Sequence, residues 1–293
     1  MNIRKLFIAV SCLLCVAASS FAQDDHNPTV LATVNKLVYN PRFNKSGVGS
    51  VIGEVATAVL TGQTSKEMLG YENGVQAAVI KGMSNSFRLK VMDGLTDEDM
   101  EYPYVIYVDG DITNMTTTSK TEVETYEEKG QKKTRSRTYF RGQIGVTLQI
   151  KDAHEGSVIA SPSFNIAETD MAWIETAEGA MNKALEALSK KVCTCFNELF
   201  PLTCNIIERA GEKKDKQKEV YIDLGSAHGM REGIVLLVFL NKTIAGKTAR
   251  QEIARLRVKT VEGEEVSLCK VTSHGKELKA ALDAGESITI ETK

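Results

Sequence analysis

Residues Ile112–Ile150 decide the fold, and they read ITNMTTTSKTEVETYEEKGQKKTRSRTYFRGQIGVTLQI. The pair Lys129-Gly130 is a turn signal, and on both sides of it charged residues alternate with hydroxyl residues. Such alternation is typical of two strands with chemically different faces. The stretch therefore predicts a long, polar, water-exposed hairpin over residues 114–141.

Pairing the residues outward from this turn sets the register of the hairpin. Glu124 faces Arg135 across the two strands. Glu122 faces Arg137 in the same way. Cross-strand pairs of opposite charge support each other by roughly 0.2–1 kcal/mol. The opposite face carries mostly hydroxyl groups, from Thr121, Thr125, Thr134, Ser136 and Thr138 beside Val123. A strand of a membrane barrel needs an apolar outer band, which this face lacks.

Residues 144–150 alternate apolar and polar side chains, which predicts a strand with one buried face. The hairpin register, continued inward, brings apolar Ile112 opposite Thr147 instead of Val146. A one-residue bulge restores the apolar match, and Gly142 is its expected position.

The remaining N-terminal half predicts a mixed sheet with helices on it. Further strands are expected at 31–39, 87–92 and 104–112, followed by period-two residues Val158, Ala160, Phe164 and Ile166. Helices are expected at 46–60 and 71–84, the latter with Val75, Ala78, Val79 and Met83 on one face. A longer apolar stripe runs from Ile174 to Leu199, where Pro201 stops the helix.

The composition changes near residue 203. The solvated charge run 212–219 is followed by five short expected strands, at 220–224, 235–240, 253–259, 266–271 and 287–291, with a short helix at 276–284. Short strands with glycine turns favour a small barrel. The predicted fold is therefore α+β, with a mixed-sheet α/β domain packed by helices over 28–202 and a small β-barrel-like domain over 203–293.

The order of these elements resembles the periplasmic domain of the curli-secretion channel family, called CsgG-like. Related modules occur in the flagellar assembly protein FlgT and in LpoB-type lipoproteins that activate peptidoglycan synthases. The resemblance rests on residues 74–78, 87–91, 108–112, 146–152 and 156–160, and on the FlgT-like stretches 220–226 and 229–233. It implies an α/β periplasmic domain and an SH3-like or FlgT C-terminal-like β domain.

Residues 1–22 have the layout of a secretory signal, with a basic tip, a short apolar run and small residues before Gln23. Neither Cys12 nor Cys15 has a lipid-attachment context, whereas the CsgG-like family is lipidated at its mature N-terminus. We therefore expect an exported protein without a lipid, periplasmic or associated with the outer membrane. No later segment is apolar enough for a transmembrane helix.

The net charge of −2 over 293 residues excludes binding of nucleic acid through phosphate neutralisation. The chain is long enough to bury a core without disulfides. Four cysteines follow the signal, and the sequence leaves open whether any of Cys193, Cys195, Cys204 and Cys269 pair.

Candidate chemical groups are few, and each has a simpler structural explanation. Glycines at 47, 49 and 53 lack the spacing and the acidic partner of a dinucleotide loop, so helix packing is favoured. Asp109 and Asp111 share a strand face, but no acid–base partner is visible. An acidic loop (Asp97, Glu98, Asp99, Glu101) and the histidines (His26, His154, His228, His274) lack metal-ligand spacing. We therefore predict no catalytic, cofactor-binding or metal-binding residue and no cofactor.

The leading hypothesis is a non-enzymatic envelope protein, an assembly or accessory factor that docks on envelope proteins or on outer-membrane assembly machinery. A homo-oligomer is compatible with this reading. One alternative is a subunit of an oligomeric CsgG-like secretion pore. Another is an envelope hydrolase whose site is assembled from distant residues.

Overall fold

The computed structural model describes residues 27–40, 65–244 and 246–293. These residues form two seven-stranded sheets and three α-helices, so the fold is of the α+β class. The expected signal at 1–22, the expected helix at 46–60 and the glycines at 47–53 lie outside the described residues.

The first sheet is mixed, with the strand order β3-β1-β4-β5-β6. Strand β1 runs parallel to both β3 and β4, whereas β5 is antiparallel to β4, β6 and β7. The short strand β2 pairs in parallel with β4. The strands are β1 Val30–Val34, β2 Val38–Tyr39, β3 Leu89–Met92, β4 Val105–Glu128, β5 Gln131–Asp152, β6 Val158–Ala160 and β7 Ser163–Ile166.

Two helices, α1 (Ser65–Ser84) and α2 (Ala177–Leu199), close the core of this sheet. The hydroxyl of Thr176 caps α2 by accepting a hydrogen bond from the Gly179 amide at 3.1 Å. The predicted apolar face of α1 is confirmed, because Val75, Ala78, Val79 and Met83 are all buried. The stripe of α2 is buried through Met181, Ala184, Leu188, Val192 and Phe196.

Two glycines let α2 approach its neighbours closely. A Cβ on Gly82 of α1 would lie 2.6 Å from the Ser189 carbonyl oxygen of α2. A Cβ on Gly142 of β5 would lie 2.6 Å from the Ala180 carbonyl oxygen of the same helix. Neither distance is compatible with a real side chain, so the position of α2 requires glycine at both places.

The hairpin register is confirmed along the arm, since Glu124 pairs with Arg135 and Glu122 with Arg137. The bulge, however, is at Thr113 of β4 and not at Gly142. Gly142 stays in register because its missing side chain makes room for α2. At the bulge, the Thr113 hydroxyl occupies space that a Cβ on Gly145 would need, at 2.5 Å.

The second sheet is antiparallel throughout, with the order β8-β14-β11-β12-β13-β10-β9, and it curls as a half-barrel around its own core. Helix α3 (Gly275–Asp283) packs through buried Leu278 and Ala281. The strands are β8 Thr203–Cys204, β9 Ile206–Lys213, β10 Lys216–Ile222, β11 Val235–Ile244, β12 Lys247–Val261, β13 Ser267–Ser273 and β14 Ile288–Thr292.

Several sequence predictions were wrong in detail. The charge run 212–219 is part of the β9–β10 hairpin, where Gln217 is only 1% exposed and its amide donates to the carbonyl oxygens of Gly211 and Glu219. With β8 and β9, neither of which was expected, the second sheet has seven strands and not five. The expected strand at 31–39 is divided into β1 and β2, and Val158 points outward at 51% exposure. None of the helices in the described ranges is long and apolar enough to cross a bilayer.

The close contact at Gly82 gives a stability prediction. Gly82→Val should lower the free energy of unfolding by about 2 kcal/mol or more, because an overpacked side chain must displace α2. Gly94→Val is the matched control, since nothing lies within 4 Å of a Cβ at Gly94, and its effect should stay within about 0.5 kcal/mol. Urea unfolding measures both, and equal stabilities of the two variants would contradict the packing account.

Candidate functional site

The first sheet has one face covered by helices and one face that no helix in the described ranges covers. The even-numbered side chains of β5 from Ile144 to Ile150 are buried in the helix-covered core. The odd-numbered side chains therefore lie on the other face, which we call the open face. The bulge at Thr113 changes the alternation of β4, so that Asn114 and Asp111 both lie on the open face.

A groove of about 430 Å³ lies on the open face beside the bulge. Its lining residues are uncharged, and most carry hydroxyl or amide groups: Thr113, Asn114, Gln143, Gly145, Val146, Thr147, Ser163, Phe164, Asn165, Ala167 and Thr169. The hydroxyls of Thr147 and Ser163 lie 3.2 Å apart across β5 and β7. Gln143 donates a hydrogen bond to the Thr118 hydroxyl at 2.8 Å. A groove of this size and polarity is suited to a small polar ligand.

A cluster of cations and aromatic rings lies at the end of this groove. Phe140 and Ile174 exchange backbone hydrogen bonds at 2.6 and 2.9 Å, which places Trp173 next to Arg141. The Arg141 guanidinium carbon is 4.2 Å from the centroid of the Trp173 ring. The Lys120 ammonium is 4.7 Å from the same centroid. We call Arg141, Trp173, Lys120 and Tyr139 the basal cluster, because they lie where the hairpin leaves the sheet.

Beyond the basal cluster, β4 and β5 continue as a two-stranded arm. Residues 121–136 are all exposed, and at about 3.3 Å per residue the arm extends for about 25 Å. Lys120 pairs with Glu122 at 2.5 Å and Lys133 with Glu128 at 2.6 Å. The arm also exposes Val123 at 65% and Tyr126 at 45%.

Asp109 and Asp111 lie on the open face, as the sequence predicts. Asp109 accepts hydrogen bonds from the Asn35 amide at 2.6 Å and from the Lys151 ammonium at 2.9 Å. Both hydrogen bonds lower the pKa of this carboxyl below its usual range, and the bond from the Asn35 amide has the larger effect. A carboxylate stabilised in this way is a poor general base. The hydrogen bond between Asn35 and Asp109 instead connects the end of β1 to β4.

The acidic loop serves local structure. Asp99 accepts hydrogen bonds from the Thr96 amide at 2.8 Å and from the Thr96 hydroxyl at 2.7 Å, which lower its pKa. These bonds close the turn before a short 3-10 helix over Asp99–Glu101. Within the described ranges, no three His, Cys, Asp or Glu side chains come together as metal ligands.

The described histidines also lie in turns. The His154 ring nitrogen Nε2 is 3.0 Å from the Tyr102 carbonyl oxygen. His228 Nδ1 accepts a hydrogen bond from the Gly225 amide at 3.3 Å, and exposed His274 precedes α3. The fourth histidine, His26, lies outside the described residues.

All four cysteines after the expected signal are free thiols. Burial raises the pKa of the Cys269 thiol to about 12 and that of Cys204 well above its usual value. Burial also raises the pKa values of Cys193 and Cys195. Thiols held in the neutral form are weak nucleophiles.

Sequence reasoning found the arm but missed the groove and the basal cluster. Trp173 lies more than 30 residues from Arg141, and the backbone bridge at Phe140–Ile174 that joins them has no sequence signal. The uncharged odd-numbered residues of β5 near the groove were visible as alternation. Nothing in that alternation shows that β7 forms the other wall.

Comparisons with known proteins give little help. No family model and no curated protein matches the chain. One solved structure similar to part of the chain is a neuraminyllactose-binding hemagglutinin homolog from Helicobacter pylori. The two are 12% identical, the match covers 59% of this chain and 87% of that chain, and the TM-score is 0.26. A TM-score this low carries no argument about fold or function.

The exposure of the arm predicts that its ion pairs matter little for stability. Glu124→Arg should change the melting temperature by less than about 4 °C, because exposed ion pairs contribute only about 0–1 kcal/mol. Ile144→Ala is the contrasting variant, since Ile144 is fully buried and its truncation costs about 2–5 kcal/mol. Differential scanning calorimetry measures both. A drop above about 5 °C for Glu124→Arg would mean that the arm is packed against something.

Proposed function

We propose that this chain is an exported, non-enzymatic protein of the cell envelope, an assembly or accessory factor that acts by docking on other envelope proteins. Outer-membrane assembly machinery or a second copy of the chain fits this role. The proposed location is the periplasm or the periplasmic side of the outer membrane. The resemblance to CsgG-like and FlgT-type modules agrees with it.

The arm is the observation that carries this proposal. Its two strands are direct continuations of the central strands β4 and β5, so the exposed part is held by the sheet and not by a flexible linker. One face carries charged groups and the other mostly hydroxyls, beside exposed Val123. A rigid projection with two distinct faces gives a partner a large surface at a small ordering cost.

We also propose two modules, residues 28–202 and 203–293, as the units that dock. Each sheet has its own cluster of buried apolar residues, which supports this division. Phe87 of the first unit packs against the core of the second, and the Asn27 side chain pairs with the Thr203 backbone. A cleft of about 400 Å³ lies between them, lined by Ser84, Asn85, Ser86, Phe87, Ser226, Gly229, Met230 and Arg231.

Shortening the arm tests the docking role. Residues 122–137 are replaced by Asn-Gly, which closes a two-residue hairpin on the paired Thr121 and Thr138. The body should melt as before, since all the removed residues except half-buried Arg137 are exposed, while capture of envelope proteins should fall at least tenfold. Affinity capture from an envelope extract, quantified by mass spectrometry, is the measurement.

Two full-length variants control this experiment. Val123→Ser with Tyr126→Ser removes exposed apolar groups from the arm and should weaken capture. Val158→Ser with Ile159→Ser removes groups of similar exposure, 51% and 43%, away from the arm and should leave capture unchanged. If the shortened arm captures the same proteins in the same amounts, the arm is not the docking element.

The two-module proposal predicts that residues 203–293 fold alone with a cooperative thermal transition. A fragment beginning at Pro201 should be more stable by about 1.5–3 kcal/mol, because it keeps Leu202, which is buried in the core of the second sheet. Circular dichroism melting compares the two fragments. An unfolded 201–293 fragment would contradict the division into modules.

A further inference from the structure

We propose that the groove on the open face, together with Arg141 and Trp173, binds a carboxylate-bearing oligosaccharide. This inference goes beyond docking by the arm and does not depend on it. The groove and the basal cluster belong to the body of the first sheet, and both remain when the exposed part of the arm is removed.

The Arg141 guanidinium stacks on the Trp173 ring, but no acidic group of the described residues neutralises its charge. This guanidinium makes no hydrogen bond or ion pair with any described residue. Its Nε atom is buried without an acceptor. Stacking uses the flat face of the guanidinium and leaves the terminal N–H groups at its edge available. A carboxylate accepts two parallel hydrogen bonds from such an edge.

The other cations nearby differ from Arg141 in lying close to acidic side chains, although the Nε atom of Arg137 is also buried without an acceptor. Lys120 pairs with Glu122 at 2.5 Å. Arg137 lies beside the Tyr139 hydroxyl and in the field of Glu124 and Glu175, which together raise its pKa. An incoming anion is therefore attracted to Arg141, and Trp173 keeps that guanidinium in place.

The groove leading to Arg141 has the chemistry of a site for sugar hydroxyls. Asn114, Thr147, Ser163, Asn165 and Thr169 offer amide and hydroxyl groups that both donate and accept hydrogen bonds, and none is charged.

The groove fits a glycan better than a peptide. Peptides are recognised mainly by pairing with a free strand edge or by apolar pockets. Here the floor is the face of the sheet, where β5 is paired with β4 on one side and with β7 on the other, so that the backbone groups of β5 are used within the sheet. Side chains do the recognition, as a ligand rich in hydroxyl groups requires.

The dimensions indicate more than one sugar unit. Arg141 is two residues from Gln143 on the same face of β5, which is about 7 Å along the strand. A ligand that fills the groove beside Gln143 and also reaches the Arg141 guanidinium must bridge this distance. An oligosaccharide with a carboxylate on one of its outer units satisfies both requirements.

Trp173 is the single tryptophan of the chain, so its fluorescence reports binding directly. Tetragalacturonate is the acidic probe, maltotetraose the neutral one, and hexaglutamate the acidic peptide. We expect tetragalacturonate to change the emission with a Kd on the order of 0.1–1 mM, and at least tenfold tighter binding than for the other two probes. Raising the NaCl concentration should weaken the binding.

Variants separate a specific site from general attraction. Arg141→Ala should raise the Kd at least tenfold, and Arg141→Lys should also raise it, because an ammonium lacks the planar fork. Arg135→Ala is the matched control, an exposed arginine further out on the same face, and should stay within twofold. The protein with the shortened arm should bind at least as tightly as the parent, because Arg141 is kept and Lys120 loses its partner Glu122. This result separates the site from the arm. Circular dichroism confirms that each variant is folded.

Three results would overturn the proposal. Equal affinity for tetragalacturonate and maltotetraose would remove the role of the carboxylate. Tighter binding of hexaglutamate, lost in Arg141→Ala, would make the ligand an acidic peptide. An equal loss in Arg135→Ala and Arg141→Lys would show attraction to the whole arm and no built site.

Discussion

The antiparallel pairing of β4 with β5 is the interaction on which the rest of the first sheet depends. These two strands are its centre, the floor of the groove and both sides of the arm. The close packing of α2 on Gly142 holds β5 from the covered face. On the other face the same residues present the groove and the basal cluster. One ladder thus joins a buried core to an exposed projection without an intervening hinge.

The bulge at Thr113 is the point where the register between β4 and β5 changes by one residue. Before it, β4 continues the register that matches Ile112 with Val146 in the core. After it, the arm follows the register set by the turn at Lys129-Gly130. The extra residue also provides part of the groove wall, with Gly145 leaving room for the Thr113 hydroxyl. A local irregularity in the backbone therefore creates the concave surface that a flat sheet lacks.

The arm register was predictable because charge alternation around a turn fixes cross-strand partners, and Glu124 opposite Arg135 followed directly. The bulge was also predictable in kind, because the register of the turn places apolar Ile112 opposite polar Thr147. Its position was not, because choosing between Thr113 and Gly142 requires knowing that α2 lies against Gly142. The hairpin at 212–219 was missed because its one inward side chain, Gln217, is polar, and only its NH2 group is bonded, to two backbone carbonyl oxygens. The groove and the basal cluster depend on contacts between distant segments, which a single sequence does not display.

The two-sided arm constrains how its length can vary. Removing one residue from a single strand reverses the parity of that strand, so that charged and hydroxyl side chains exchange faces from that point to the turn. Removing matched residues from both strands, two at a time, preserves the parity and shortens the arm by about 7 Å per step. The length of the arm can therefore change without changing which side chains lie on each of its faces. Relatives of different arm length can keep the same charged face toward the same side, provided that their insertions and deletions are even.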